Sequence, residues 1–296
     1  MCIVSLTGAS GFIAKSAKIY FNSIFIFREF YRDINFTIND EFAVLHCAGK
    51  AQDFKNVTSP NEYYIANTDL TKEIFDAFLV SDAKVFITLS SVKAVADEVI
   101  GELTEDANAS PLTHYGKSKL LAEQYILSQR IPESKRVYIL RPCMIHGPGN
   151  KGNLNLLYKI VSKNVPWPLS AFENKRSFCS IDNLMFILKE LIEREDIPSG
   201  IYNVADDEPL STNELIRLIA HSQNRKPKLW NISKKFTEGV ASIGDKLHLP
   251  LNTERLQKLT SSYVVSNAKI KTAIGKPLPV SSREGLLKTF KSFNSQ

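Results

Sequence analysis

Short apolar runs recur along the chain at residues 2–6, 23–27, 42–47, 84–89, 136–140 and 201–204. Between them lie stretches whose apolar positions repeat three and four apart, at 11–21, 61–80, 114–129 and 183–193. The first period suits buried strands and the second amphipathic helices. Strands alternating with helices predict an α/β fold, a doubly wound parallel sheet. A parallel crossover usually needs a dozen or more residues. The interval from Phe27 to Phe42 is too short for both a crossover helix and another strand, so the sheet is expected to be pruned there, with Asp33-Ile34 the remnant of a third strand.

The pattern changes after Pro148. Residues 153–164 read as a helix, Pro166-Trp167-Pro168 breaks the chain, and Ser211 and Glu214 stand in capping-box spacing at the start of another helix. This predicts a smaller, mostly helical lobe. The strand at 201–204 is expected to return to the main sheet, which divides the chain into a dinucleotide-binding domain of 1–148 plus about 177–206 and a substrate lobe of about 149–176 plus 207–296.

Composition narrows the classes. The chain has 296 residues, 44% hydrophobic and 23% charged, which excludes disordered and collagen-like chains. Cys2, Cys47, Cys143 and Cys179 are widely spaced, with no CxxC pair and no histidine at ligand spacing, so neither a disulfide scaffold nor a metal site is expected. A reducing, cytoplasmic setting is the simplest one. No apolar run reaches the roughly 20 residues of a membrane span, and the opening residues read as a strand rather than a leader. The formal charge is +6, with the excess thickest around Arg225, Lys226, Lys228, Lys234 and Lys235. No stacking aromatics are interleaved there as single-stranded nucleic acid would require, so the patch reads as a solvated face and no nucleic-acid partner is expected. An anionic small ligand suits this charge.

Two constellations carry chemistry. Gly8-x-x-Gly11-x-x-Ala14 falls between the first strand and the first helix, where glycines let a pyrophosphate approach unpaired N–H groups and the helix dipole. Its bland alternative is an ordinary tight turn. Tyr115 and Lys119 stand one helical turn apart. An ammonium about 4 Å from the phenol, at an effective dielectric near 20, is worth on the order of 4 kcal/mol, or roughly three pKa units. Lys119 is therefore expected to bring Tyr115 toward the physiological range. Ser90-Ser91 ends the run at 84–89, where ligands of a doubly wound sheet bind, and a hydroxyl there is able to hold the oxygen whose proton Tyr115 exchanges.

Together with Leu45-His46-Cys47-Ala48-Gly49, Leu89-Ser90-Ser91, Tyr115-Gly116-x-Ser118-Lys119 and Arg141-Pro142-x-x-Ile145-x-Gly147-Pro148-Gly149, the glycine turn resembles the extended short-chain dehydrogenase/reductases of the NAD-dependent epimerase/dehydratase family. The resemblance implies a Rossmann sheet, catalysis by Ser91, Tyr115 and Lys119, and a homodimer. It implies cofactor contacts from Gly8, Ser10, Gly11, Phe12, Ile13, Cys47, Ala48, Gly49, Asn67, Tyr115, Lys119, Pro142 and Met144. It also implies substrate contacts from Ser91, Tyr115, Asn153 and Arg176 to a nucleotide sugar, a UDP-sugar. The bland alternatives are a helix cap for Asn153 and a surface cation for Arg176. Lys93 is placed to reach the sugar or its phosphate, or else to stand exposed. For the cofactor, Arg28-Glu29 offers both the arginine that suits NADP and the acid that suits NAD; the expectation leans to NADPH through Arg28.

Ser91 is followed by Val92-Lys93-Ala94, where dehydratases of this family carry an acidic pair. That leaves hydride transfer at sugar C4. The segments Ser90-Ser91-Val92-Lys93, Lys175-Arg176-Ser177-Phe178 and Leu210-Ser211-Thr212-Asn213-Glu214 are similar to UDP-4-keto-6-deoxy-N-acetylhexosamine 4-reductases of surface-polysaccharide synthesis. A 4-epimerase is the alternative, and a non-catalytic dinucleotide sensor or scaffold a third reading.

Overall fold

The computed structural model describes residues 3–26, 42–51, 59–150, 152–247 and 252–294. In chain order the first half contains β1 (Val4–Thr7), α1 (Phe12–Tyr20), β2 (Ser23–Ile26) and β3 (Ala43–His46). Next comes α2, a composite of Pro60–Tyr63, a π-helical stretch Tyr64–Asp69 and Leu70–Val80. β4 (Val85–Leu89) leads into a 3-10 turn at Val92–Ala94, followed by β5 (Glu102–Leu103), α3 (His114–Ser128), β6 (Arg136–Pro142) and β7 (Met144–His146). The second half contains α4 (Asn153–Ser162), β8 (Phe178–Ser180), α5 (Ile181–Glu193), β9 (Gly200–Val204) and α6 (Thr212–Ser222). It ends with α7 (Lys234–Leu247), α8 (Thr253–Thr260), β10 (Val264–Val265), α9 (Ala268–Ile274) and α10 (Ser282–Phe293).

The central sheet has the order β2-β1-β3-β4-β6-β9 and is parallel throughout. Side chains on a strand alternate between the two faces. Leu6, Leu45, Ile87 and Leu140 therefore pack on one side with α1 and α5, through Ala17, Leu184, Leu188 and Leu191. Val44, Phe86, Val137 and Ile139 pack on the other with Ile74, Phe75 and Phe78 of α2 and Ile126 of α3. Burial on both faces is why the strands read as unbroken apolar runs rather than alternating ones. This is the expected doubly wound Rossmann-type sheet.

β9 joins β6 in the main sheet, so the chain does return after the excursion that follows Pro148. In the excursion and beyond, Leu154, Phe178, Leu210, Leu215, Ile219, Leu286 and Phe290 form a second core, and Trp167, Leu169, Ile216, Ala241 and Leu256 a third. Ser211 accepts the Glu214 N–H at 3.1 Å while Glu214 accepts the Ser211 N–H at 2.8 Å, the capping box that their spacing predicts. The supposed remnant strand at Asp33-Ile34 and the selector Arg28 both lie outside the described residues.

Candidate active site

Because every strand of the main sheet runs the same way, the carboxyl ends of β1, β3, β4 and β6 share one edge, and that edge gathers most of the residues singled out from the sequence. At β1 the chain turns at Gly8, whose φ is +75°; a Cβ there would lie 2.8 Å from the Ala48 nitrogen. Only glycine takes this conformation at no steric cost while letting the two loops touch. The Gly11 N–H closes the turn on the Gly8 carbonyl at 2.8 Å, and α1 begins at Phe12 with no side chain bonded across its N-terminus. Ser10 is exposed on the turn, whereas the Phe12 and Ile13 side chains pack against the core, so what those two offer a ligand is their backbone.

The loop after β3 is fixed by a chain of hydrogen bonds. Thr7 Oγ1 accepts the Ala48 N–H at 3.0 Å and donates to His46 Nδ1 at 2.8 Å. Thr71 Oγ1 donates to the Asn67 carbonyl at 2.7 Å and so accepts from His46 Nε2 at 3.0 Å, which places the ring proton on Nε2. Burial, and then the Lys119 charge, pull His46 down to about 3, keeping it neutral. Asn67, buried in the π-helical stretch, accepts the Lys50 N–H at 2.7 Å and donates to the Lys50 carbonyl at 3.1 Å and to Ser118 Oγ at 3.0 Å. It clamps Cys47-Ala48-Gly49 to α3. A Cβ on Gly49 would meet Asn67 Oδ1 at 2.8 Å and Lys119 Nζ at 3.1 Å.

Ser91 caps the 3-10 turn after β4, its Oγ accepting the Lys93 N–H at 3.2 Å. Its hydroxyl faces the Tyr115 phenol closely enough to favour the ionised form of that phenol. Tyr63 meets Tyr115 edge-on, with ring centroids 6.2 Å apart. Burial pushes the phenol up, the Ser91 hydroxyl pulling the other way. This corrects the expectation that Lys119 lowers it. The ammonium is 8% exposed and donates to the Leu89 carbonyl at 2.9 Å, beside Gly49, and the phenol's shift is set by desolvation and Ser91. Lys119 is itself pulled down to about 8 by burial, against the charge of Glu123. Burial pushes the Cys47 thiol up to about 12, so it stays protonated.

Glu123 was not picked out from the sequence. It lies one turn beyond Lys119 on the buried side of α3, 1% exposed, and accepts Arg141 Nε at 3.0 and 3.1 Å as well as Arg141 Nη2 and Ser90 Oγ. Its spacing of four from Lys119 and eight from Tyr115 was the available signal.

Pro142 ends β6 buried, and Met144 is partly exposed on β7, which pairs with β8 outside the main sheet. The three remaining residues differ from their bland readings. Lys93 is half-buried rather than exposed, donating to the Asp97 carbonyl at 2.8 Å and lying 4.2 Å from the Tyr263 ring centroid. Burial pulls its ammonium down, and the nearby Arg176 charge adds to this against Asp97. Arg176 is no surface cation: Nε donates to the Ser261 carbonyl at 3.1 Å and Nη2 to the Lys258 carbonyl, at the end of α8. Asn153 is exposed at the first position of α4 and is not the cap; Gly152 takes that position, its N–H bonded to Asn155 Oδ1 at 2.9 Å.

The family model described as the NAD dependent epimerase/dehydratase family matches residues 34–205. A UDP-glucose 4-epimerase of Vibrio cholerae is 29% identical over 269 residues, covering 88% of this chain and 79% of that protein. The N-acetyl-alpha-D-glucosaminyl-diphospho-ditrans,octacis-undecaprenol 4-epimerase of Escherichia coli O157:H7 is 27% identical over 60% of this chain and 54% of its own length. Among solved structures, the UDP-N-acetylglucosamine 4-epimerase from Bacillus cereus superposes with a TM-score of 0.77 at 18% identity, each chain covered completely. At that identity the likeness shows the fold.

Proposed function

The chain belongs to the NAD dependent epimerase/dehydratase family, and from that premise we propose that it exchanges hydride at C4 of a sugar diphosphate, in the direction of a 4-keto reductase. The carrying observation is the gathering of Ser91 at the carboxyl end of β4, the buried Tyr115 phenol facing it against Tyr63, and the Lys119 ammonium one helical turn along, bonded to the Leu89 carbonyl. Family membership makes it an NAD(P)-dependent enzyme. Its own residues fit a dinucleotide, since glycine at Gly8 and Gly49 lets the β1 and β3 loops close on each other and on Asn67 and Lys119, and the first turn of α1 offers backbone N–H groups to a phosphate. Gly8, Ser10, Gly11 and the backbone of Phe12 and Ile13 would hold the pyrophosphate. Cys47, Ala48, Gly49, Asn67, Pro142 and Met144 would line the rest. The bound dinucleotide supplies hydride exchange.

In this reading Ser91 positions the C4 oxygen, Tyr115 donates the proton to it, and Lys119 holds the nicotinamide ribose. Burial favours the protonated phenol, which is the form a reductase needs at the start of its cycle. Lys93 and Arg176, two half-buried cations near each other, are the candidates for the substrate diphosphate, with Asn153 at the rim. The substrate lobe in this reading comprises about 149–176 and 207–296. The 4-epimerase is the second reading, favoured by the names of the relatives reported above.

The deciding experiment supplies NADPH with a UDP-4-keto-6-deoxy-N-acetylhexosamine in one reaction and UDP-N-acetylglucosamine or UDP-glucose alone in another. Cofactor oxidation in the first supports the reductase; C4 inversion in the second, read by NMR, replaces it with the epimerase. Tyr115→Phe is expected to abolish either reaction while leaving cofactor affinity nearly intact, and retained turnover would remove Tyr115 from its role.

A further inference from the structure

Helix α7 turns an apolar stripe to solvent. Its inward positions are Thr237, Ala241 and Gly244, spaced four and three apart, and Ala241 is fully buried with Trp167, Leu169, Ile216 and Leu256. About a quarter-turn round the same helix, Phe236, Val240 and Ile243 repeat that spacing at 65%, 37% and 55% exposure. Trp230, in the segment leading into α7, is 57% exposed. One exposed apolar residue needs no explanation, but an aligned set with a neighbouring tryptophan does.

The charge around the stripe says what covers it. Residues 225–246 carry six basic side chains, Arg225, Lys226, Lys228, Lys234, Lys235 and Lys246, against Glu238 and Asp245 alone, which accounts for most of the chain's excess of +6. At 100° per residue, Lys235 and Lys246 fall on the outward face beside the stripe, where their methylene stems are able to lie along an apolar phase while the ammonium groups stay in water. Phenylalanine, isoleucine and tryptophan bordered by lysines are the complement of an anionic lipid surface; a protein partner would not require this one-signed charge.

The helix also stands where such contact would matter. α8 follows α7, and Arg176 bonds to the carbonyl end of α8, while Gln257 of α8 reaches Glu98 at 3.2 Å. The α7–α8 segment is thus tied to the loop that carries Lys93 and Asp97. We propose that α7 is an interfacial helix seating this protein on an anionic bilayer surface, through Phe236, Val240, Ile243 and Trp230 and the flanking lysines. The inference does not depend on the reaction proposed above.

The test is cosedimentation of the full chain with vesicles of phosphatidylcholine alone or mixed with phosphatidylglycerol. Partitioning to the mixed vesicles, reduced by salt, is expected. Phe236→Ser with Ile243→Ser should weaken it about tenfold or more, since each change removes an anchoring apolar side chain, while circular dichroism and NADH binding stay as in the parent. Lys235→Glu with Lys246→Glu should weaken it without touching the apolar stripe. Absence of binding to the anionic vesicles, or equal binding by the serine variant, overturns the proposal. So does a parent dimer that the serine variant converts to monomer by light scattering, because a second copy would then cover the stripe.

Discussion

At the residue scale, the arrangement turns on how one buried ammonium keeps its charge. Lys119 loses most of its hydration, and that cost is offset by the Leu89 carbonyl and by Glu123 one turn on. Glu123 is in turn held by Arg141 and Ser90, so three buried groups stand behind one lysine. Lys119 at about 8 is charged at neutral pH and loses its proton as pH rises through that value, so kcat/KM is expected to fall on an alkaline limb near 8. Glu123→Gln removes a charge that raises the lysine and should move this limb acidward by about one pH unit. The same change leaves Arg141 unpaired in the interior, at a cost of about 3–5 kcal/mol in stability. Adding Arg141→Met should restore much of the stability and keep the displaced limb; a limb that stays in place in both variants would mean that Glu123 only holds the fold.

At the element scale, the motif residues prove to be packing requirements as well as chemistry. Gly116 is followed by two residues of helix before Lys119, and a Cβ on it would lie 2.3 Å from the Lys93 carbonyl and 2.8 Å from Pro111 Cβ. Glycine is what lets the start of α3 press against the turn that carries Ser91. Ser118 donates to the Tyr115 carbonyl at 2.8 Å and receives Asn67, joining α3 to α2 and to the loop after β3. Gly116→Ala is therefore expected to push Tyr115 away from Ser91 and cut turnover by about a hundredfold or more, the scale of a misplacement near 1 Å. Cofactor affinity, resting on β1 and β3, should change far less; equal losses in both would refute the argument.

The six strands of the main sheet and the helices that cover it were legible because each is a continuous run with its own period, whereas α7 to α10 and the short strands β5, β7, β8 and β10 were not read from the sequence. The π-helical stretch Tyr64–Asp69 was not legible, because one widened turn leaves the apolar pattern on either side intact. The direction of the Tyr115 shift was also misread, since burial is set by side chains distant in sequence, Tyr63 among them, whereas the spacing of Tyr115 and Lys119 reports only their proximity along one helix.

At the scale of the whole molecule, the chain's last helix closes back on the strand that leaves the main sheet. Thr289 Oγ1 donates to the Gly285 carbonyl at 2.9 Å, so toward His146 Nδ1, also at 2.9 Å, it accepts, and Nδ1–H is the donor of that bond. The other ring nitrogen faces Asp206 Oδ2 at 3.4 Å, and Asp206 is already bonded by the Ser180 N–H and by Asn183 Nδ2 at 2.7 Å. The Thr289–His146 bond thereby ties α10 to β7, while Asp206, held by Ser180 and Asn183, ties the chain just beyond β9 to β8 and α5. No local pattern reveals a contact between residues 143 positions apart. Thr289→Val keeps the volume and removes the acceptor, leaving the Nδ1–H unpaired in a fully buried site. Urea unfolding should then show a loss of about 1–3 kcal/mol. Because β7 also carries Met144, which we propose lines the cofactor, cofactor affinity is expected to weaken alongside stability, whereas Thr289→Ser, which retains the acceptor, should leave affinity near that of the parent. If the valine and serine variants weaken the cofactor equally, the α10 contact is a matter of packing alone and the hydrogen bond does not hold β7 in place.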